Sequence, residues 1–176
     1  TGYSTHHPLV HTLLVGELTS LGQTLFGSYE VGLFLYMIVQ MVLLNLALSL
    51  TVSVLAKRGL KKGYLVTLLT LYCITPLYTN IVSVAIKDVP YCAFVIGYVV
   101  LFTALLEKPE KIRDKKFLCA FVLLQIGVIL TRNNGLPLVL LSGLIAFVYF
   151  YKRYSLKEKI LYLLSGFGLS IAIAKL

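Results

Sequence analysis

The sequence predicts an all-α protein, a polytopic transmembrane helix bundle of about six spans preceded by an amphipathic helix on the outer membrane face. Three observations predict it. Apolar residues make up 59% of the 176 positions against 13% charged, with a mean hydropathy of +0.90, more apolar surface than a soluble domain of this size can bury. Six apolar stretches approach the roughly 20 helical residues that a bilayer core requires. The basic residues fall in alternate connections between those stretches, the pattern that sets membrane orientation.

Residues 1–30 are expected to form an outer-loop segment. Within it, Val10, Leu14, Leu18, Leu21 and Leu25 recur at helical spacing with His11, Glu17, Ser20 and Gln23 between them, giving an amphipathic helix over Pro8 to Phe26. Pro8 suits its first turn. Gly16, Gly22 and many hydroxyl residues make it a poor spanning helix, so it is placed lying on the outer face. The turn from Phe26 to Glu30 leads into the bundle, residues 31–176.

The spans are expected at Val31–Ala56, Tyr64–Ile86, Pro90–Leu106, Phe117–Thr131, Gly135–Tyr151 and Lys159–Leu176. The fourth and fifth are short and separated by three residues, so two tight spans and a hairpin dipping in from one side both fit. Lys57, Arg58, Lys61 and Lys62 occupy the first connection, Lys108, Lys111, Arg113, Lys115 and Lys116 the third, and Lys152, Arg153, Lys157 and Lys159 the fifth. Thirteen of the sixteen basic residues therefore lie in alternate loops, which makes those loops cytoplasmic and the others external. This placement accounts for the net charge of +9 without a nucleic-acid partner; membrane lipid is the expected surround. No signal peptide is recognisable before His11. The opening at Thr1 and the stop within an apolar run suggest a piece of a longer chain. Cys73, Cys92 and Cys119 have neither metal-ligand nor disulfide spacing and are expected to be small packing residues.

With this topology the outer side collects His6, His7, His11, Glu17, Lys87, Asp88, Arg132, Asn133 and Asn134. Each has a plain structural explanation. His7 and His11 have the i, i+4 spacing of helical metal ligands, yet Pro8 stands between them and capping explains them more simply. Asp88-Val89-Pro90 reads as a helix start. Arg132 fits an interfacial cation, and Asn133-Asn134-Gly135 has turn composition. Together they form a cationic and amide-rich set able to hold a phosphate emerging from lipid headgroups.

The order of these features resembles the GT-C superfamily of polytopic membrane glycosyltransferases, in particular bacterial members and relatives of the protein mannosyltransferases. The resemblance rests on His6-His7-Pro8-Leu9-Val10-His11-Thr12, Leu25-Phe26-Gly27, Thr75-Pro76-Leu77, Lys87-Asp88-Val89-Pro90 and Leu130-Thr131-Arg132-Asn133-Asn134-Gly135. It covers most of residues 5–150. It implies transfer of a sugar from a polyprenyl-phosphate donor to an extracytoplasmic glycan or lipid acceptor at the cell envelope, by an inverting displacement. His6, His7, His11, Lys87, Arg132, Asn133 and Asn134 are then expected to bind substrate. Asp88 is a lesser candidate for catalytic base, because the family's main acid would lie upstream of Thr1. A divalent cation, Mg or Mn, is implied as cofactor, with His7 and Asp88 as possible ligands. A transporter or lipid-linked-sugar flippase is the rival expectation, suggested by Pro76, Pro137 and the polar Gln40, Asn45 and Gln125 within apolar stretches.

Overall fold

The computed structural model describes residues 9–75, 80, 83–132, 134–150, 160 and 164–174. Their regular structure is helical, and among the described residues there is no strand. The chain divides into two compact units, Thr1–Ile96 and Gly97–Leu176.

In the first unit, helix α1 spans Leu9–Phe26 and helix α2 spans Tyr29–Lys57. Gly27 turns the chain between them at φ 67°, a left-handed conformation that glycine adopts without cost. The Ser28 hydroxyl then accepts from the Glu30 amide at 3.2 Å and caps α2. The buried stripe of α2 is Gly32, Tyr36, Gln40, Leu44 and Ala47, a helical spacing that keeps one side of an apolar helix for contacts within the protein. Leu33, Phe34, Ile38, Val42, Leu46 and Leu50 on its other sides are exposed.

α1 packs on α2 through glycine. Gly22 meets the backbone of Gly32, where an added Cβ would stand 2.4 Å from the Gly32 nitrogen, and the His11 side chain meets the Tyr36 hydroxyl. The apolar stripe expected along α1 is split by this packing: Val10, Leu14 and Leu18 are half-buried, whereas Leu21 and Leu25 are exposed.

Helix α3, Lys62–Ile74, follows a turn at Gly59 with φ 85°. It stops half way through the expected span Tyr64–Ile86. The cause lies in the sequence, because a residue before proline is excluded from the helical region, and Thr75, which precedes Pro76, is extended at φ −70°, ψ 111°. Helix α4, Asp88–Glu107, begins with Asp88 and Pro90 in its first turn, where a carboxylate favours the helix dipole and proline sacrifices no hydrogen bond. Val89 and Ala93 of α4 pack with Leu44 and Ala47 of α2. The start of α4 is therefore level with Leu44, about 22 Å along α2 from Tyr29. The boundary between the units falls within α4.

In the second unit, a 3-10 turn at Pro109–Arg113 precedes helix α5, Lys115–Thr131, which Asp114 caps by accepting from the Lys116 amide at 2.9 Å. Helix α6, Gly135–Phe150, follows at once, then a π-helical turn at Leu164–Gly168 and helix α7, Leu169–Ala174. Phe121 is fully buried, stacked on Tyr98 with centroids 5.5 Å apart and edge-on to Phe167 at 5.6 Å. The Tyr98 hydroxyl pairs with Ser142, and Ser170 donates to Gln125.

α2 and α4 are long and apolar enough to cross a membrane, two helices rather than about six. α3, α5 and α6 hold 13, 17 and 16 residues, about 20, 26 and 24 Å, short of a bilayer core of about 30 Å. The last expected span, Lys159–Leu176, is only partly described and is interrupted by the π turn. Elsewhere the expected boundaries agree with the helices to within two residues. In the most apolar window of α2 only 28% of residues are buried, which leaves most of its apolar side chains uncovered by the described residues.

Candidate functional site

The expected outer residues divide between the two units. His6, His7 and Asn133 lie outside the described residues. His11, Lys87 and Asp88 belong to the first unit, Arg132 and Asn134 to the second.

In the first unit the connection from Ser83 to Lys87 is held against α2 by side chains of the buried stripe. The Gln40 amide donates to the Val84 carbonyl at 2.8 Å. One turn earlier, the Tyr36 hydroxyl lies 3.4 Å from the Ile86 carbonyl and 2.8 Å from Nδ1 of His11, with the imidazole edge-on to the phenol ring. His11 on α1 and the Lys87-Asp88 pair are thereby joined through one buried tyrosine, although 76 positions separate His11 from Lys87. Lys87 is exposed; Asp88 is half-buried with its Oδ1 shielded from solvent.

Non-helical backbone at this depth along α2 needs hydrogen-bond partners from the protein, and Tyr36 and Gln40 supply them. Tyr36 has no place among the residues expected from sequence. Its signal is the four-residue spacing of Gly32, Tyr36, Gln40 and Leu44 within an otherwise uniform apolar run, which marks a face turned toward polar backbone. Gln40 is noted in the sequence only as a carrier-like polar residue, and its bond to Val84 gives it a structural task. Asn45 donates to the Met41 carbonyl of its own helix at 2.9 Å.

Beside this connection, α2 and α3 enclose an open groove of about 620 Å³, lined by Met37, Met41, Leu44, Leu48, Leu69 and Tyr72, with Asn45 and Ser83 among its few polar groups. Cys73 lines it too. All three cysteines are exposed on helix surfaces, a correction to their expected role in packing.

In the second unit Arg132 ends α5 in an extended conformation and is exposed, as is Asn134. The Gly135 amide donates to the Arg132 carbonyl at 2.8 Å. Gly135 itself presses on α5: a Cβ there would stand 2.0 Å from the Val128 carbonyl oxygen. Arg132, Asn134 and Gly135 thus lie at the tight corner of a helical hairpin, with the Arg132 side chain exposed.

A divalent cation finds one expected ligand, Asp88, among the described residues; His7 lies outside them. Among the described residues no three His, Cys, Asp or Glu side chains gather into a ligand group, so no step is assigned to a metal.

These features define an all-helical protein with two helices of membrane-crossing length and a polar connection packed along one of them. The chain belongs to the family of unknown function DUF6020, which matches residues 1–172. Neither a curated protein nor a solved structure matches it.

Proposed function

We propose that this chain is part of a multi-pass cell-membrane glycosyltransferase of the GT-C kind, moving a sugar from a polyprenyl-phosphate donor to an extracytoplasmic acceptor. The supporting observation is that the start of α4, next to Lys87 and Asp88, packs beside Leu44, about half way along α2. α2 is about 43 Å long and exceeds a bilayer core of about 30 Å. With Lys57 at the cytoplasmic boundary, the outer boundary falls near Met37, and the start of α4, level with Leu44, lies about 10 Å inside it.

Charged groups at that depth face a cavity or a polar ligand, because exposure to hydrocarbon costs about 2.5–3.5 kcal/mol or more for each. The neighbouring groove offers apolar walls of the kind a polyprenyl chain needs, and Lys87 stands four residues from Ser83 on its rim. In this proposal Lys87 and Arg132 are each a phosphate-binding cation of the kind that stabilises the charge developing on a leaving polyprenyl phosphate. His6, His7, His11, Asn133 and Asn134 are proposed substrate-binding residues, and Asp88 is proposed to orient the acceptor hydroxyl. α3, α5, α6 and the segment from Lys159 to Leu176 complete the six spans in this proposal.

Of the polar residues that suggest a carrier, Gln40 and Asn45 donate to backbone carbonyls and Gln125 accepts from Ser170. The test is transfer from a radiolabelled polyprenyl-phosphate sugar in membranes that contain the full-length protein. Lys87→Ala is expected to lower the rate about 100-fold with unchanged expression. Wild-type rates in that variant would remove Lys87 from the site.

A further inference from the structure

We propose that His11 and Tyr36 form a proton-dependent clasp that positions the Ser83–Asp88 connection, so that the protonation state of α1 sets how firmly the Lys87-Asp88 pair is held. The geometry is a three-member chain. Tyr36 is fully buried on α2, its hydroxyl 2.8 Å from His11 Nδ1 and 3.4 Å from the Ile86 carbonyl. A phenol has one proton to donate. The bond to His11 is of normal length, whereas 3.4 Å is long for an O–H···O contact; in the neutral tautomer whose Nδ1 carries no hydrogen, that nitrogen only accepts, so the hydroxyl proton points to it and the Ile86 carbonyl is weakly held.

Protonation of the imidazole by water reverses this. Nδ1 then carries hydrogen and donates to the Tyr36 oxygen, and the hydroxyl rotates its proton toward the Ile86 carbonyl. No covalent bond other than N–H is made. The consequence is a shorter, stronger hold on the peptide that precedes Lys87. Free imidazole titrates near pH 6.5. The charged groups on the elements around His11 are Glu17 on α1, Glu30 at the start of α2, Lys87 in the connection and Asp88 at the start of α4.

Tyr36 and His11 are positioning residues in this scheme, acting through the loop backbone. Their bearing on sugar transfer rests on the function proposed above; the clasp itself does not, and its test reads no transfer. Ile86-Lys87 is the one Ile-Lys pair in the sequence. Full-length protein labelled with carbonyl-¹³C isoleucine and ¹⁵N lysine gives a signal for that peptide by NMR in lipid nanodiscs, assigned by its loss in Lys87→Arg. Between pH 5 and pH 8 the Ile86 carbonyl resonance is expected to follow one histidine-like titration, moving to higher frequency at low pH as its hydrogen bond strengthens. His11→Gln and Tyr36→Phe, which keep the size and packing of each side chain, should both flatten the curve. A flat wild-type curve, or one that survives either substitution, overturns the clasp. Retained transfer at fixed pH in a variant with a flattened curve would leave the clasp standing and separate it from the chemistry.

Discussion

Gly135 shows how one missing Cβ shapes the outer corner of the second unit. Its backbone lies so close to the Val128 carbonyl that any side chain must push α5 and α6 apart, and α6 begins at that residue. Gly135→Ala is expected to destabilise the protein by about 1–3 kcal/mol, the usual cost of overpacking. Gly63→Ala, where nothing lies within 4 Å, should stay within about 0.5 kcal/mol of wild type. Thermal unfolding in detergent compares the two, and equal Tm values would show that the hairpin corner tolerates separation. At this scale the sequence was partly legible. Asn133-Asn134-Gly135 announces a turn by composition, and Asp88-Val89-Pro90 announces a helix start. Tyr36 did not stand out, because its partners are 25 and 50 positions away and one of them is a backbone carbonyl, which leaves no trace in residue identity.

Helices were legible where charges, glycine or proline punctuate apolar runs. α2 and α4 begin and end within two residues of expectation, since Glu30, Lys57, Asp88 and Glu107 fix where the runs meet polar sequence. The span expected from Tyr64 to Ile86 failed because continuous hydropathy outweighed the effect of Pro76 on Thr75. Hydropathy also does not report level. That α4 starts beside Leu44 rather than beside Tyr29 follows from the packing of Val89 and Ala93, and that stagger turns an expected surface loop into a connection along the helix. Orientation remains a claim about elements, and charge predicts it. With Cys73, Cys92 and Cys119 replaced by Ala, an impermeant thiol reagent added to intact cells should label Glu30→Cys and leave Lys61→Cys and Arg113→Cys unlabelled until the cells are opened. External labelling at position 61 or 113 would invert the arrangement and place the Lys87-Asp88 pair on the cytoplasmic side.

For the whole molecule, the proposed activity rests on cations carried on the outer side. The pattern of outer residues that suggested this was readable in sequence because alternate loops sort by charge; distances between them were not, since spacing along the chain carries no distance in space. A cation that stabilises a developing charge slows transfer when it is removed, whereas an independent surface charge does not. Lys at position 132 keeps charge but loses the two-pronged geometry of the guanidinium, so it should restore part of what Ala removes. The most direct measurement is the rate of transfer from a radiolabelled polyprenyl-phosphate sugar by full-length protein in membranes, compared across wild type, Arg132→Ala and Arg132→Lys at matched expression. The expected result is transfer by wild type, a loss of about 100-fold or more in Arg132→Ala, and an intermediate rate in Arg132→Lys. Absence of transfer by wild type across several donors, or a wild-type rate in Arg132→Ala, would contradict it.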